Sequence, residues 1–289
     1  MRETVIDLDG DVRVEEHGDD GPTVVMVHGL GGSRLNWRGV APGLAARGRV
    51  RALDLRGHGH SPMPRDASLD ENLALLARYI EREVGHSVTL VGNSMGGLLS
   101  LLLASSRPDL VERLVLVNPA LPWTYARRPD PLVATVFSIY AVPGLGELYV
   151  KNVIGRVPPE RAVRDMMALC GVSPDAIDPE LLRAHVALAH ERAATMPYRH
   201  RAFLSAARSV IRRVVSRSAF EHHVHRVRAP TLLLHGDRDR LVPVASARAV
   251  ARLRPDWTYA ELADTGHTPM IQSPEDFVAR VGRWLAQGA

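Results

Sequence analysis

Gly92-Asn93-Ser94-Met95-Gly96 lies between two apolar runs, Val88-Thr89-Leu90-Val91 before it and residues 97–106 after it. The first run predicts a buried strand and the second predicts a helix. A strand that reverses directly into a helix forces the residue at the turn into a strained backbone conformation. Glycine on each side removes the side chains that would collide there. The segment therefore predicts a sharp turn that presents the Ser94 hydroxyl.

Short apolar runs alternate with helix-like segments on both sides of this turn. Such alternation is typical of an α/β fold with a mostly parallel sheet and crossover helices. We predict eight strands, the first two forming a hairpin, at residues 4–8, 12–16, 23–27, 50–53, 88–91, 114–117, 231–234 and 258–262. The helices predicted between them cover residues 37–47, 69–84, 95–106, 244–253 and 274–285.

The alternation stops between residues 120 and 229, where amphipathic segments punctuated by proline replace the strands. Helices are predicted there at residues 132–141, 159–169, 179–192 and 198–217. The simplest interpretation is a helical cap, or lid, inserted into the α/β unit. The predicted domains are a core of residues 1–119 and 230–289 and a cap of residues 120–229.

Length and composition fit a globular protein with a large core, since the 289 residues are 46% hydrophobic. No run of about 18 apolar residues predicts a membrane span, and the first residues do not resemble a signal peptide. We therefore expect a cytoplasmic protein. Cys170 is the single cysteine, which excludes an internal disulfide and a cysteine-built metal site. Its helical spacing from Val163, Met166 and Met167 predicts a packing role.

The net charge of +4 comes almost entirely from arginine, with Lys151 the only lysine, and acidic residues are interleaved along the chain. This pattern does not predict nucleic-acid binding. The densest basic cluster predicts a solvated helix face, and an anionic substrate or surface stays open for it. The cluster consists of Arg199, Arg201, Arg208, Arg212, Arg213 and Arg217.

A serine hydroxyl attacks a carbonyl only with the help of a base, and the base needs a carboxylate to orient it. Asp239 follows the predicted strand at 231–234, and His267 follows the strand at 258–262. The loops after the carboxyl ends of parallel strands gather at one edge of a sheet. We therefore expect Ser94, Asp239 and His267 to converge there as nucleophile, acid and base.

With these residues in this order, the chain resembles the α/β-hydrolase-fold serine hydrolases, the superfamily of esterases and lipases. The resemblance extends from the N-terminal hairpin to the C-terminal helix, and the order Ser, Asp, His matches it. It implies that Asp239 is the acid, while the nearby Asp237 has a structural role. The stretches that carry it are residues 28–33 (HGLGGS), 54–61 (DLRGHGHS), 92–97 (GNSMGG), 235–243 (HGDRDRLVP) and 266–269 (GHTP).

The resemblance also implies an oxyanion hole formed by the backbone N–H groups of Met95 and Leu30. It implies no cofactor and no metal. A set of histidines is interpreted as ordering the loops, namely His28, His58, His60 and His235. The group at residues 221–225 contains three histidines that could bind a metal, but solvent-facing side chains are the preferred interpretation.

Serine at the turn argues against the dehalogenases and epoxide hydrolases of this fold, which use aspartate there. A carboxylic ester is the favoured substrate. Carbon-carbon bond hydrolases of ring-cleavage products, lactonases, thioesterases and perhydrolases stay open, although the carbon-carbon hydrolases commonly have tryptophan where this chain has Thr268. A small-ligand receptor is the non-enzyme alternative. A dinucleotide-binding loop fails because Arg34 stands where its third glycine belongs.

Substrate choice is assigned to the cap, whose apolar residues could cover an acyl pocket or simply pack the cap's own core. We therefore expect one partner, a small-molecule ester with an apolar acyl group. The sequence leaves the oligomeric state open. The pocket candidates are Trp123, Phe137, Tyr140, Met166 and Phe203.

Overall fold

The computed structural model describes residues 1–125, 130–173 and 176–287, apart from the side chain of Thr124. Each of the eight predicted strands is present, and the ends differ by a few residues. The strands are β1 (Arg2–Asp7), β2 (Asp11–His17), β3 (Thr23–Val27), β4 (Arg49–Leu53), β5 (Val88–Asn93), β6 (Val111–Val117), β7 (Thr231–Gly236) and β8 (Thr258–Leu262).

The strands form one sheet in the order β1-β2-β4-β3-β5-β6-β7-β8. The β1–β2 and β2–β4 pairs are antiparallel, and every pair from β4 to β8 is parallel. β3, β5 and β7 are buried along their whole length, as expected for strands covered on both faces. The mostly parallel α/β sheet predicted from the sequence is confirmed.

Twelve α-helices lie in the described residues. They are α1 (Ala41–Ala45), α2 (Leu69–Tyr79), α3 (Met95–Ser106), α4 (Pro131–Ala141), α5 (Leu145–Asn152), α6 (Pro159–Leu169), α7 (Pro179–Thr195), α8 (Arg199–Val215), α9 (Arg217–Arg226), α10 (Val244–Leu253), α11 (Pro269–Gln272) and α12 (Pro274–Ala286).

The first predicted helix, at residues 37–47, is shorter in the structure. A 3₁₀ turn at Arg34–Trp37 comes first, and α1 begins only at Ala41. Pro42 has no N–H and is accommodated best in a first helical turn. Proline therefore sets where this helix begins, which the apolar spacing alone did not indicate.

Six helices, α4 to α9, lie between β6 and β7 in the described residues, where the sequence predicts helices rather than strands. The helix predicted at 198–217 is divided into α8 and α9, because Ser216 leaves the helical conformation and its hydroxyl accepts a hydrogen bond from the Ala219 N–H at 3.4 Å. The short helix α5 was not predicted. The Glu147 carboxylate caps it by accepting the Gly144 N–H at 2.8 Å.

Two buried apolar clusters occupy opposite faces of the sheet. Helix α3 lies in one of them and is buried on nearly all sides, with Leu98, Leu99 and Leu102 packed in the core. The other cluster contains Trp37 and Phe277 from the N- and C-terminal parts of the chain. Packing on both faces holds the central strands in place. The candidate site lies at the carboxyl ends of β5, β6 and β7.

Candidate active site

Ser94 joins β5 to α3 with a strained backbone, φ 55° and ψ −118°. Positive φ at a residue other than glycine is uncommon and costs free energy, so the surrounding structure must hold it. The packing is too tight for side chains: a Cβ on Gly92 would overlap the Gly96 carbonyl, and one on Gly96 would overlap the Val27 carbonyl. The turn predicted from the sequence is present.

Asp239 and His267 form a buried hydrogen-bonded pair, with 2.7 Å between Asp239 Oδ2 and His267 Nδ1. Asp239 Oδ1 accepts the backbone N–H groups of Leu241 and Val242 at 2.8 and 3.0 Å. Burial by itself opposes ionisation of this carboxyl. The imidazole and the hydrogen-bond donors outweigh burial and hold the pKa of Asp239 below its ordinary value.

Two asparagines that the sequence analysis did not single out tie the pair to the Ser94 turn. Asn118 Nδ2 donates to Asp239 Oδ2 at 2.8 Å and to the Gly266 carbonyl at 3.2 Å. Asn93 Nδ2 donates to the His267 carbonyl at 3.0 Å. Both asparagines are buried at the carboxyl ends of adjacent strands, β5 and β6. Polar residues directly after predicted strands were the available signal for them.

The two ring nitrogens of His267 have different surroundings. Its Nδ1 is used by Asp239, and no residue in the described part of the chain makes a hydrogen bond with Nε2. The described residues also contain no hydrogen bond between this nitrogen and Ser94 Oγ. Such contacts often tighten only when substrate is bound. The backbone of His267 is fixed from the other side, since its N–H donates to the Cys170 carbonyl at 2.7 Å.

The loop at residues 28–33 lies against the Ser94 turn. A Cβ on Gly29 would come within 3.0 Å of Ser94 Cβ. The Gly29 carbonyl accepts hydrogen bonds from the Gly32 N–H at 3.1 Å and His28 Nδ1 at 2.8 Å, which fix the loop. Among the described residues, no hydrogen bond uses the N–H of Leu30 or of Met95, the first residue of α3. Both N–H groups therefore have no hydrogen-bond acceptor among the described residues.

Four of the five predicted pocket residues form one aromatic row. Its ring centroids are 5.5 Å apart for Trp123 and Phe137, 5.9 Å for Phe137 and Tyr140, and 5.3 Å for Tyr140 and Phe203. The row begins beside the Asp239 loop, where Trp123 Nε1 donates to the Leu241 carbonyl. It ends with the Phe203 ring against Gly31. Met166 is not part of the row and lies 45% exposed on α6.

The histidines predicted to order loops make hydrogen bonds to backbone carbonyls or to a carboxylate. His58 Nδ1 donates to the Arg56 carbonyl at 3.0 Å, His235 Nε2 donates to the Val242 carbonyl at 2.9 Å, and His60 Nε2 donates to the Glu191 carboxylate at 2.8 Å. Cys170 is buried as predicted, and burial raises the pKa of its thiol to about 12. A neutral buried thiol is a poor nucleophile.

Two buried loop histidines make the stability of the fold depend on pH. Burial lowers the pKa of His28 to about 4 and that of His58 to about 3. Below about pH 6.5 these two imidazoles bind protons in the unfolded chain but stay neutral in the folded chain. The free energy of unfolding therefore falls as the pH falls toward 4. Urea unfolding should show a loss of roughly 2 kcal/mol per histidine at about pH 5 relative to pH 7.5. Equal free energies at the two pH values would contradict this expectation.

The family model for the alpha/beta hydrolase fold matches residues 22–274 of this chain. The match covers most of the sequence, including the Ser94 turn and the loops of Asp239 and His267. The chain therefore belongs to the α/β-hydrolase-fold family.

Several relatives of known activity are similar over nearly the full length. A pimeloyl-acyl-carrier-protein methyl ester esterase from Aromatoleum aromaticum is 30% identical, over 88% of this chain and 94% of the relative. A 2-hydroxy-6-oxo-2,4-heptadienoate hydrolase from Pseudomonas putida is 29% identical, over 92% and 90%. A crystal structure of a bacterial membrane phospholipase A superimposes with a TM-score of 0.79 at 25% identity, covering 100% of this chain and 87% of that one. These similarities support a hydrolase of the α/β fold.

Proposed function

We propose that the protein is a serine hydrolase that cleaves a carboxylic ester through an acyl-enzyme intermediate. One observation carries the proposal. The strained Ser94 turn is hydrogen-bonded through Asn93 to His267, whose imidazole is in turn held by Asp239. Nucleophilic catalysis by serine needs a hydroxyl, a base and a carboxylate that orients the base, and Ser94, His267 and Asp239 are the proposed groups.

The reaction starts with transfer of the Ser94 proton to His267 Nε2 as Ser94 Oγ attacks the ester carbonyl. The tetrahedral intermediate collapses, and His267 returns the proton to the departing alkoxide. Water then attacks the acyl-enzyme with the same imidazole as base, which releases the acid and restores Ser94. Asp239 keeps the proton of the neutral imidazole on Nδ1 and stabilises the imidazolium that forms at each step.

The negative charge of each tetrahedral intermediate falls on the former carbonyl oxygen. The N–H groups of Leu30 and Met95 are the proposed donors to it. Fixed donors of this kind contribute about 3 to 4 kcal/mol each to the transition state, because they need no reorganisation when the charge develops. The hydrogen bonds that hold Gly29 supply that rigidity on the Leu30 side.

The region 120–229 is the proposed cap over the acyl pocket. The aromatic row from Trp123 to Phe203 supports this assignment, because it runs from the Asp239 loop to the proposed oxyanion loop at Gly31. Aromatic walls bury apolar substrate groups favourably. An ester with an apolar acyl group is therefore the proposed substrate, and the full-length similarity to a methyl ester esterase supports ester cleavage.

Hydrolysis of a carbon-carbon bond in a ring-cleavage product is the second candidate. It is favoured by the similarity to the 2-hydroxy-6-oxo-2,4-heptadienoate hydrolase. Thr268, rather than tryptophan, follows His267 and is buried. That departure ranks this reaction below ester cleavage.

The two candidates are separated by assaying aryl esters of graded acyl length beside a ring-cleavage dienoate, with labelling by a fluorophosphonate probe. We expect labelling at Ser94 and turnover that rises with acyl length until the aromatic row is filled. Faster turnover of the dienoate than of every ester would favour the second candidate. A protein that neither labels nor turns over any of these substrates would contradict a serine hydrolase.

A further inference from the structure

An exposed apolar surface covers α4, α5 and the 3₁₀ turn at Ile154–Arg156, and we call it the apolar face. Six large side chains contribute to it: Leu132, Val142, Leu145, Leu148, Val153 and Ile154. Leu145 and Leu148 are one helical turn apart on α5 and are therefore neighbours on its surface. Exposed apolar side chains concentrated on neighbouring elements indicate an interaction site.

Helices α5 and α8 border a groove of about 680 Å³ that is lined by basic side chains. None of the proposed catalytic residues lines this groove. Arg201, Arg208 and Arg212 lie on one side of α8, since their spacing of seven and four residues returns to the same helix face. Lys151 of α5 faces them across the groove, which we call the basic groove.

One of these cations, Arg208, is already paired within the fold. Arg208 donates to the Tyr140 carbonyl at 2.8 Å and pairs with Glu147 at 2.6 Å, which neutralises the acidic side chain of α5. Lys151, Arg201 and Arg212 have no ion-pair partner within residues 1–125, 130–173 and 176–287. Asp66 is the other acidic residue that lines the groove. Three cations without a partner among the described residues, against this one carboxylate, leave the basic groove with an excess of positive charge.

The apolar face and the basic groove adjoin each other on α5. Lys151 follows Leu148 by three residues, so the free ammonium lies beside the exposed leucine. Apolar side chains next to cations match the two layers of a membrane surface. The leucines can enter the boundary of the acyl chains while the cations contact the phosphate groups of anionic lipids.

We propose that the apolar face and the basic groove together bind the surface of a membrane that contains anionic lipid. An acidic protein would match the cations but would leave the six apolar side chains without a partner. The contact is peripheral. No single described helix is long and apolar enough to cross a bilayer, and α4 with residues 145–156 reaches that composition only as a pair bent by 117°.

The test is sedimentation of the full-length protein with two kinds of vesicle, phosphatidylcholine alone and phosphatidylcholine mixed with phosphatidylglycerol. We expect binding to the mixed vesicles that weakens as salt is raised. Leu145→Ser with Leu148→Ser should weaken binding at least about tenfold, because two exposed leucines that the membrane would bury are lost. Arg201→Gln with Arg212→Gln should weaken it by at least about tenfold through lost charge.

Each control variant removes one side chain of the same kind, apolar or basic, elsewhere on the surface. Val5→Ser removes an apolar side chain that is 46% exposed, as Leu145 is, from the edge strand β1. Arg252→Gln removes an exposed charge from α10. Both should bind as the wild type does. If the protein binds neither kind of vesicle, the proposal is overturned and an acidic protein is favoured as the partner. Unchanged binding by the leucine variant would overturn it as well.

Discussion

We expect Ser94→Ala to lower turnover of an aryl ester by about four to six orders of magnitude. The variant keeps the donors of Leu30 and Met95 but has no nucleophile, so only slow attack by water remains. The fold should persist, because alanine is smaller than serine and the strain at φ 55° is imposed by the surrounding packing. The measurement is steady-state turnover together with labelling by the fluorophosphonate probe, which should be lost.

Ser106→Ala is the matched control at the opposite end of α3. Ser106 is exposed, and its hydroxyl donates to carbonyls of its own helix, to Leu102 at 2.8 Å and to Leu103 at 3.5 Å. Turnover and labelling by this variant should equal those of the wild type. Ser94→Ala protein that is free of wild-type contamination and keeps near-normal turnover would contradict the proposed mechanism.

Replacement of Asp239 by asparagine should lower turnover by about three to four orders of magnitude. Asp239 accepts hydrogen bonds from His267, Asn118 and the N–H groups of Leu241 and Val242. An asparagine there has only one acceptor oxygen, so its amide N–H group must face a donor. If the N–H group faces His267, Nδ1 becomes an acceptor and Nε2 carries the proton, which disables the base.

Asp237→Asn is the control, since Asp237 lies two residues away and is the alternative acid. In the described part of the chain its Oδ1 accepts one hydrogen bond, from the Thr265 N–H at 3.3 Å. We expect this variant to keep turnover within about tenfold of the wild type. Both variants should be compared by their pH–rate profiles and by circular dichroism. A larger loss for Asp237→Asn than for Asp239→Asn would reassign the acid.

The sequence determined the sheet and the turn because both depend on short-range patterns. Short runs of strand length predicted the strands, and the signal is clearest for β3, β5 and β7, since strands covered on both faces exclude polar residues. Gly92 and Gly96 predicted the Ser94 turn because no other residue fits beside such a reversal. The ends of helices were less predictable. Ser216 divides α8 from α9 through a local hydrogen bond that apolar spacing does not report.

The tertiary structure alone decided which polar and aromatic groups meet. Asn118 and Asn93 reach Asp239 and His267 across 121 and 174 residues of chain, and only the register of the parallel strands brings them together. The aromatic row joins Trp123 to Phe203 in the same way. Local sequence reports backbone preference and burial, whereas contacts between distant residues depend on how the strands and helices pack. The site is therefore predicted in kind by sequence and in arrangement only by the fold.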